Sequence, residues 1–358
     1  MKRHKLLFLG QGETAAKTLK LLNKEPCLEI VFCAPRMSND SYFDEGILAR
    51  KCDELGINKL KTNDVNSLEF TTRVKDQEID LIVNLGHHQL FQRILIDSSK
   101  FGVLNYHPGL LPYGRGSGAL VGEIMNGSTE IGRTCHLVDE HFDRGLIVKQ
   151  EKFNISGNST MVEASNIVQT NVDVFIRDSV LCVFNEEINK SESKYLGFGR
   201  YFPKFADGDD YIDWNSTSKN IHNKIRARLD ERLAVFYTKN LDKYLVTKSE
   251  LAHDIEDYIA VNGQVIDRTE NGVLVKTSDT AIWINEILDP KTNQKSVPKF
   301  KIGTCFQTIN ISDFVTILQK LNNYNNNFMS RSFDDLEAQE LDSLFHCPSC
   351  GEKRKSKI

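Results

Sequence analysis

The sequence predicts a doubly wound α/β domain with a mostly parallel sheet, then a small C-terminal β-barrel-like domain and a polar tail. Three observations carry this prediction. Short apolar runs alternate with helical-period stretches over the first half of the chain, the pattern of parallel strands with helical crossovers. Runs of β-type composition crowd the stretch from Ala234 to Ile287 and enclose an Asn-Gly pair, a hairpin signal. The length of 358 residues, with 40% hydrophobic content, exceeds one average domain and leaves apolar surface for two cores.

Along the chain, KLLFLG (Lys5 to Gly10) is a strand, and Glu13 to Leu22 places its apolar residues at helical spacing. Leu28 to Ala34, Ile79 to Leu85 and Val103 to Tyr106 are further strands, separated by polar helical stretches such as Glu45 to Leu55. Ligands of such sheets bind beyond the carboxyl ends of the strands, which directs attention to the loops after Gly10, Leu85 and Tyr106. Thr160 to Val183 reads as one long amphipathic stretch, and NEEINKSESKYLGFGRYFPKFADGDD as a polar connection with the boundary near residues 190–210. Ser216 to Leu229 is predicted helical, with Asn215 or Ser216 as its cap. AVFYTKN, KYLVTKS, GQVIDRTENGVLVKT and AIWINEI are predicted strands, with Asn271-Gly272 turning the hairpin. Ile311 to Leu321 is expected to be a helix ahead of an Asn-rich tail. The expected units are residues 1–192, 205–310 and 311–358.

A net charge of −4 with 26% charged residues shows no basic excess of the kind that announces a nucleic-acid partner. No run approaches the roughly 20 apolar residues of a membrane span, and the start becomes polar too early for a signal peptide, so a cytoplasmic protein is expected. Cysteines 27, 33, 52, 135, 182 and 305 are scattered, and the expectation is small core hydrophobes without a disulfide framework. Cys347 and Cys350 form one Cys-x-x-Cys knuckle beside His346. A closed zinc site needs four ligands, so this is half a ribbon at best, and no metal is assigned.

FGVLNYHPGLLPYGRGSG is the most informative segment. If Val103 to His107 ends a strand, a period of two puts Asn105 and His107 on one face, aimed at the crevice beyond the sheet. Pro108 then stops the strand. Downstream, GRTCHLVDEHFDRGLIV runs from a strand into an acidic loop carrying Asp139, Glu140 and Asp143. The residues themselves leave open a core histidine and a turn asparagine.

Asn-x-His-Pro-x-Leu-Leu-Pro, an Arg-Gly and a distant Asp-x-Gly before an apolar strand resemble the formyltetrahydrofolate-dependent formyltransferases. That family includes methionyl-tRNA, sugar-nucleotide and glycinamide ribonucleotide formyltransferases. The likeness covers residues 1–190, and YIDWNSTSKNIHNKIRA with the β runs after it is similar to the accessory C-terminal domain of the methionyl-tRNA members. The resemblance implies formyl transfer from 10-formyltetrahydrofolate to a primary amine through Asn105, His107 and Asp143. Such a reaction passes through a tetrahedral oxyanion, for which Asn105 offers a neutral donor and His107, held cationic by Asp143, a charged one. Asp143 would also relay the amine proton.

For the folate the resemblance points to Gly86, His88, Gln89 and Leu90 and to the backbone from Asp139 to Phe142. For the acceptor it points to the turn of Gly10, Gln11, Gly12, Glu13 and Thr14, and to Arg115 facing an anionic group. Gly10 and Gly12 lack the third glycine of a dinucleotide loop, and each turn side chain is equally well read as part of a tight strand-to-helix turn. His87-His88 is not read as a metal pair, because adjacent strand residues point to opposite faces. Departures fall where specificity would be set. Gly114 intervenes where relatives have Tyr-Arg-Gly, and Ser117, Gly118, Ala119, Val121 and Gly122 stand where Pro and Trp follow in them. The loop CAPRMSNDSYFDEG is short and acidic, where methionyl-tRNA members carry a basic insertion, which argues against tRNA. The favoured acceptor is a nucleotide-linked 4-amino-4,6-dideoxy sugar; methionyl-tRNA, other amines and a catalytically idle folate- or nucleotide-binding relative stay open, as does a homodimer.

Overall fold

The computed structural model describes residues 3–35, 45–87, 89–187, 199–206, 208–228, 232–240, 242–253, 255 and 259–307. His88, most of the loop 35–45, the helix expected at Ile311 to Leu321, the tail and the Cys347/Cys350 knuckle lie outside them.

The first half runs β1 (His4–Gly10), α1 (Gly12–Leu22), β2 (Leu28–Pro35), α2 (Glu45–Leu55), α3 (Leu68–Asp76), β3 (Leu81–Leu85), α4 (Arg93–Ile96), β4 (Val103–His107) and α5 (Ala119–Met125). It continues through β5 (Glu130–Leu137), β6 (Leu146–Asn154), α6 (Met161–Gln169) and α7 (Val172–Phe184). The six strands form one sheet in the order β2-β1-β3-β4-β5-β6. Its pairs from β2 to β4 are parallel, and β4-β5 and β5-β6 are antiparallel. Helices cover both faces, which is why β1 and β3 read as continuous apolar runs rather than alternating ones. Leu6, Phe8, Val83 and Leu104 pack with Ala15, Leu19, Phe175 and Val180 on one side. Leu7, Leu9, Ile82 and Val103 pack with Phe70, Val74 and Leu95 on the other.

The long amphipathic stretch from Thr160 to Val183 folds as two helices, α6 and α7. Thr160 opens α6 with a capping box: its hydroxyl accepts from Glu163 N at 3.3 Å, and the Glu163 carboxylate takes Thr160 N at 2.8 Å. Asn171, in the left-handed region at φ 51°, breaks the path before α7. Amphipathic period alone does not reveal this break, because both helices present apolar faces inward.

The second half has α8 (Ser218–Arg226), β7 (Ala234–Thr238), β8 (Lys243–Leu251), β9 (Val265–Thr269), β10 (Gly272–Lys276), β11 (Ala281–Asp289), β12 (Gln294–Ser296) and β13 (Phe306–Gln307). Thr217, rather than Asn215 or Ser216, caps α8: its hydroxyl accepts from Asn220 N at 3.2 Å. The strand order β13-β7-β8-β11-β10-β9 curls into an antiparallel half-barrel. Phe306 N donates to Gly263 O at 2.8 Å and Val265 N to Thr304 O at 2.8 Å, drawing the two edges together. Trp214, Phe236, Val246, Val275, Ile284 and Phe306 fill it. The hairpin turns one residue earlier than predicted. Thr269 pairs with Gly272, so Glu270 and Asn271 form the turn, neither at positive φ, and Gly272 begins β10 where a Cβ would lie 2.4 Å from Ile284 O.

Among the described residues no helix is long and apolar enough to cross a membrane, and no group of three or more His, Cys, Asp or Glu could hold a metal. The six described cysteines are free.

Candidate active site

Four strands carry the site as a row across the sheet. In register, Leu9 lies beside Asn84, Asn84 beside Asn105, and Asn105 beside His136. Residues paired across strands share a face, so three polar side chains line up on otherwise apolar strands. One backbone donor fixes their orientation. His87 N donates to Asn84 Oδ1 at 3.1 Å, which leaves Asn84 Nδ2 to donate to Asn105 Oδ1 at 2.6 Å. Asn105 therefore turns its own Nδ2 away from Asn84, towards His136 Nε2 3.1 Å off, a contact in which the ring nitrogen accepts.

His107, on the same face as Asn105, is 6% exposed. The loop beyond it folds back over the ring, and Nε2 donates to Gly114 O. Thr134 Oγ1 holds Gly109 O at 2.7 Å, and Gln150 Nε2 reaches Leu111 O at 2.9 Å. The glycine after Pro108 is required by space: a Cβ there would lie 2.5 Å from Gly114 O and 2.7 Å from His107 Nε2.

Asp143 approaches from the loop after β5 in the left-handed region, at φ 52°. Its Oδ2 accepts from Gly116 N at 2.8 Å and lies 3.7 Å from His107 Nδ1, while Oδ1 lies 3.6 Å from His136 Nε2. Burial alone would raise the Asp143 carboxyl, but the His136 and His107 imidazoles and the Gly116 N–H outweigh it and hold it well below the usual carboxylate range. Burial dominates at His107 and lowers its pKa, against the pull of Asp143 and the Gly114 carbonyl. The pulls on His107 are opposed: burial favours the neutral ring, while the Gly114 carbonyl at Nε2 and the Asp143 carboxylate facing Nδ1 favour the imidazolium. In the neutral ring Nε2–H is spent on Gly114 O, so Nδ1 is the basic atom.

A strap from the connection between the halves locks the same loop. Arg115 N donates to Arg200 O at 3.1 Å, Phe202 N to Arg115 O at 2.8 Å, and Gly118 N to Phe202 O at 3.1 Å.

The Formyl transferase family profile matches residues 5–177, and the profile of the formyl transferase C-terminal domain matches 204–303, together most of the chain. The chain belongs to the formyl transferase family. This formyltransferase is 27% identical to the methionyl-tRNA formyltransferase of Fusobacterium nucleatum over 82% of its own length and 94% of the relative's. It is 26% identical to that of Clostridium tetani, over 84% and 96%. Two solved structures share its fold at a TM-score of 0.59: the sugar 3N-formyltransferase WlaRD, 21% identical over 80% of this chain and 98% of that one, and an N-formyltransferase from Helicobacter canadensis, 19% identical over 79% and 99%.

The formyltransferase's other predicted site residues scatter around the row. Gly86, at φ 89°, follows β3 with Gln11 against it: a Cβ at 86 would touch Gln11 Cγ at 3.3 Å. Gln89 is spent on the loop before α3, accepting from Val65 N at 3.0 Å and donating to Asn63 O at 2.8 Å. Leu90 O accepts from Asn66 Nδ2 at 3.0 Å, while the Leu90 side chain is exposed. Asp139 takes His141 N at 2.9 Å, and Phe142 is exposed. Gly10 has no room for a Cβ, which would meet Leu85 O at 2.9 Å, and Gly12 takes φ 74° to enter α1. Glu13 pairs with Lys17 at 2.8 Å on the exposed face of α1, and Thr14 O accepts from Thr18 Oγ1 at 2.9 Å. Arg115 is not a surface arginine: it is buried, and Nη2 donates to Gly199 O at 2.8 Å. Sequence reasoning missed Asn84 and His136. The available signal was an asparagine inside the apolar run LIVNLG and a histidine inside the strand IGRTCHL.

Proposed function

We propose that this formyltransferase moves the formyl group of 10-formyltetrahydrofolate to the amine of a nucleotide-linked 4-amino-4,6-dideoxy sugar. The carrying observation is the convergence of Asn105, His107 and Asp143 at the carboxyl edge of β3 and β4, with the Asn105 Nδ2 direction set by Asn84. The amine attacks the formyl carbon, a carbon–nitrogen bond forms, and the carbonyl oxygen becomes an oxyanion. Asn105 Nδ2 donates to it, exchanging His136 for the developing charge, and one such donor is worth about 3 kcal/mol at the barrier. The amine proton passes to Nδ1 of His107, whose cationic form the Asp143 carboxylate stabilises. That proton then goes to N10 of the folate as the carbon–N10 bond breaks, giving the formamide and tetrahydrofolate.

The folate would lie along Gly86 to Leu90 and the loop from Asp139 to Phe142. The acceptor would lie against Gln11, Gly12, Glu13 and Thr14. WlaRD was crystallised with dTDP and 5-N-formyl-THF, and the Helicobacter canadensis protein with folinic acid and dTDP-3-aminofucose; these ligands support a folate donor and a nucleotide-linked amino sugar, with the amine of that sugar at carbon 3 rather than carbon 4. The second reading, methionyl-tRNA, is favoured by similarity to tRNA-formylating relatives over nearly their full length.

The test is tetrahydrofolate release from 10-formyltetrahydrofolate with 4-amino and 3-amino sugar nucleotides and with methionyl-tRNA as separate acceptors. Turnover with the 4-amino sugar is the expected result. Turnover with tRNA alone would overturn the reading and assign the half-barrel to RNA.

A further inference from the structure

The strap packs against the start of α5. Gly118 and Gly122, two of the departures from the family pattern, are where it lies closest: a Cβ at 118 would stand 2.6 Å from Pro203 O, and the Phe202 ring covers Gly122. Next to Gly122, the Glu123 side chain is 9% exposed, and its Oε2 and Oε1 accept from Arg200 Nη2 at 3.2 Å and 3.4 Å. Ser128 Oγ donates to the same carboxylate. The Arg200 guanidinium also stands 5.9 Å from the centroid of the Phe202 ring, so one cation joins the buried acid to the aromatic ring of its own strap.

The same carboxylate borders the loop that caps His107. A Cβ at Gly114 would lie 3.6 Å from Glu123 Oε1, and Gly114 O accepts from His107 Nε2. Arg200 O accepts from Arg115 N at 3.1 Å, and the next residue, Gly116, donates its N–H to Asp143 Oδ2 at 2.8 Å. Glu123 is therefore the point where α5, the loop and the strap meet. Arg200 is half exposed, so water screens part of the attraction. The constraint comes from the buried end, because moving the guanidinium away strips a buried carboxylate of this partner.

We propose that Glu123 and Arg200 are positioning residues for formyl transfer: their ion pair fixes the strap, and the strap holds Gly114 O on His107 and Gly116 N on Asp143. Neither side chain touches the reacting atoms, and the assignment is independent of which amine is formylated.

Arg200→Glu sets a second carboxylate against Glu123 at a half-exposed side chain and should displace the strap while sparing the fold. The Arg115 and Gly116 amides of the free protein should then exchange with deuterium about tenfold faster or more, while amides of β7 to β11 keep their rates. Tetrahydrofolate release is measured with an amino-sugar nucleotide or methionyl-tRNA, whichever the wild type formylates. Its kcat should fall about tenfold or more, the loss of one charge-assisted hydrogen bond at the reacting pair, with KM for folate and acceptor nearly held. Arg200→Gln, which removes the charge without reversing it, should show a smaller change in the same direction, and Arg200→Lys should resemble the wild type. The double variant Glu123→Gln/Arg200→Glu should recover most of the exchange protection and rate, because the amide introduced at 123 donates to the carboxylate introduced at 200. Gly116 exchange unaltered in Arg200→Glu, a rise in KM with kcat unmoved, or a double variant no better than the single one would each overturn the proposal.

Discussion

Replacing Asn84 with aspartate exchanges a donor for an acceptor at the point that decides which way the Asn105 amide faces. Asn84 is 3% exposed and nearly isosteric with aspartate, so the fold should survive. One carboxylate oxygen can still accept from His87 N, as Oδ1 does at 3.1 Å. The other cannot donate to Asn105 Oδ1, and two oxygens 2.6 Å apart repel. The Asn105 amide then turns over, offering Nδ2 to residue 84 and its oxygen to the reacting carbonyl. Losing one preorganised oxyanion donor costs about 2.7–4 kcal/mol, or roughly 10² to 10³ in kcat. KM should hardly move, because the interaction exists only in the transition state. The assay is steady-state tetrahydrofolate release near pH 8, with thermal unfolding as a control for folding. Burial raises the new carboxyl's pKa, and its protonated form can donate to Asn105 again, so the deficit should narrow as pH falls. A variant with wild-type kcat at pH 8 and an unchanged melting profile would refute the orientation argued for Asn105.

His107→Gln should abolish turnover while sparing the fold; retained activity would remove the imidazole from the proton path. Folding should respond too. The folded-state pKa of His107 is depressed, so its contribution to stability is fully present above the ordinary value of about 6.5 and is lost as pH falls below it. Urea unfolding from pH 7.5 to 5.5 should therefore weaken the wild type more than His107→Gln. Asp143→Asn keeps an acceptor for Gly116 N but removes the charge that stabilises protonated His107, so the rate should fall by orders of magnitude at neutral pH; a mild effect would reassign the proton path. Melting in the presence of a strong chelator should match melting without it, and a lowered midpoint would instead point to zinc at Cys347 and Cys350.

Strand period, a following proline and an acidic loop made the residue types and placement of Asn105, His107 and Asp143 legible in a single sequence, while their grouping as one site came from the family resemblance. The fixing of Asn105 was not legible. Asn84 and His136 reach it only through register across β3, β4 and β5, and register is a long-range property that local pattern does not encode. The surroundings of His107 were hidden for a related reason. The sequence announced a carboxylate partner but not the loop from Gly109 to Gly114 that seals the ring and lets burial dominate. The break at Asn171 and the early hairpin turn hang on single backbone angles, where composition is a weak guide.

The strap from Gly199 to Phe202 ties the connection between the halves to the loop that surrounds His107 and Asp143. The loop it grips presents Gly114 O to His107 and Gly116 N to Asp143, and an aromatic ring closes the joint: a Cβ at Gly122 would lie 2.0 Å from Phe202. A protein cut after Asn185 would keep every member of the trio in sequence yet lose the clamp that sets two of them. The segment from Gly199 to Pro203 is thus part of the wall around His107 and Asp143 rather than a simple spacer between strands and half-barrel.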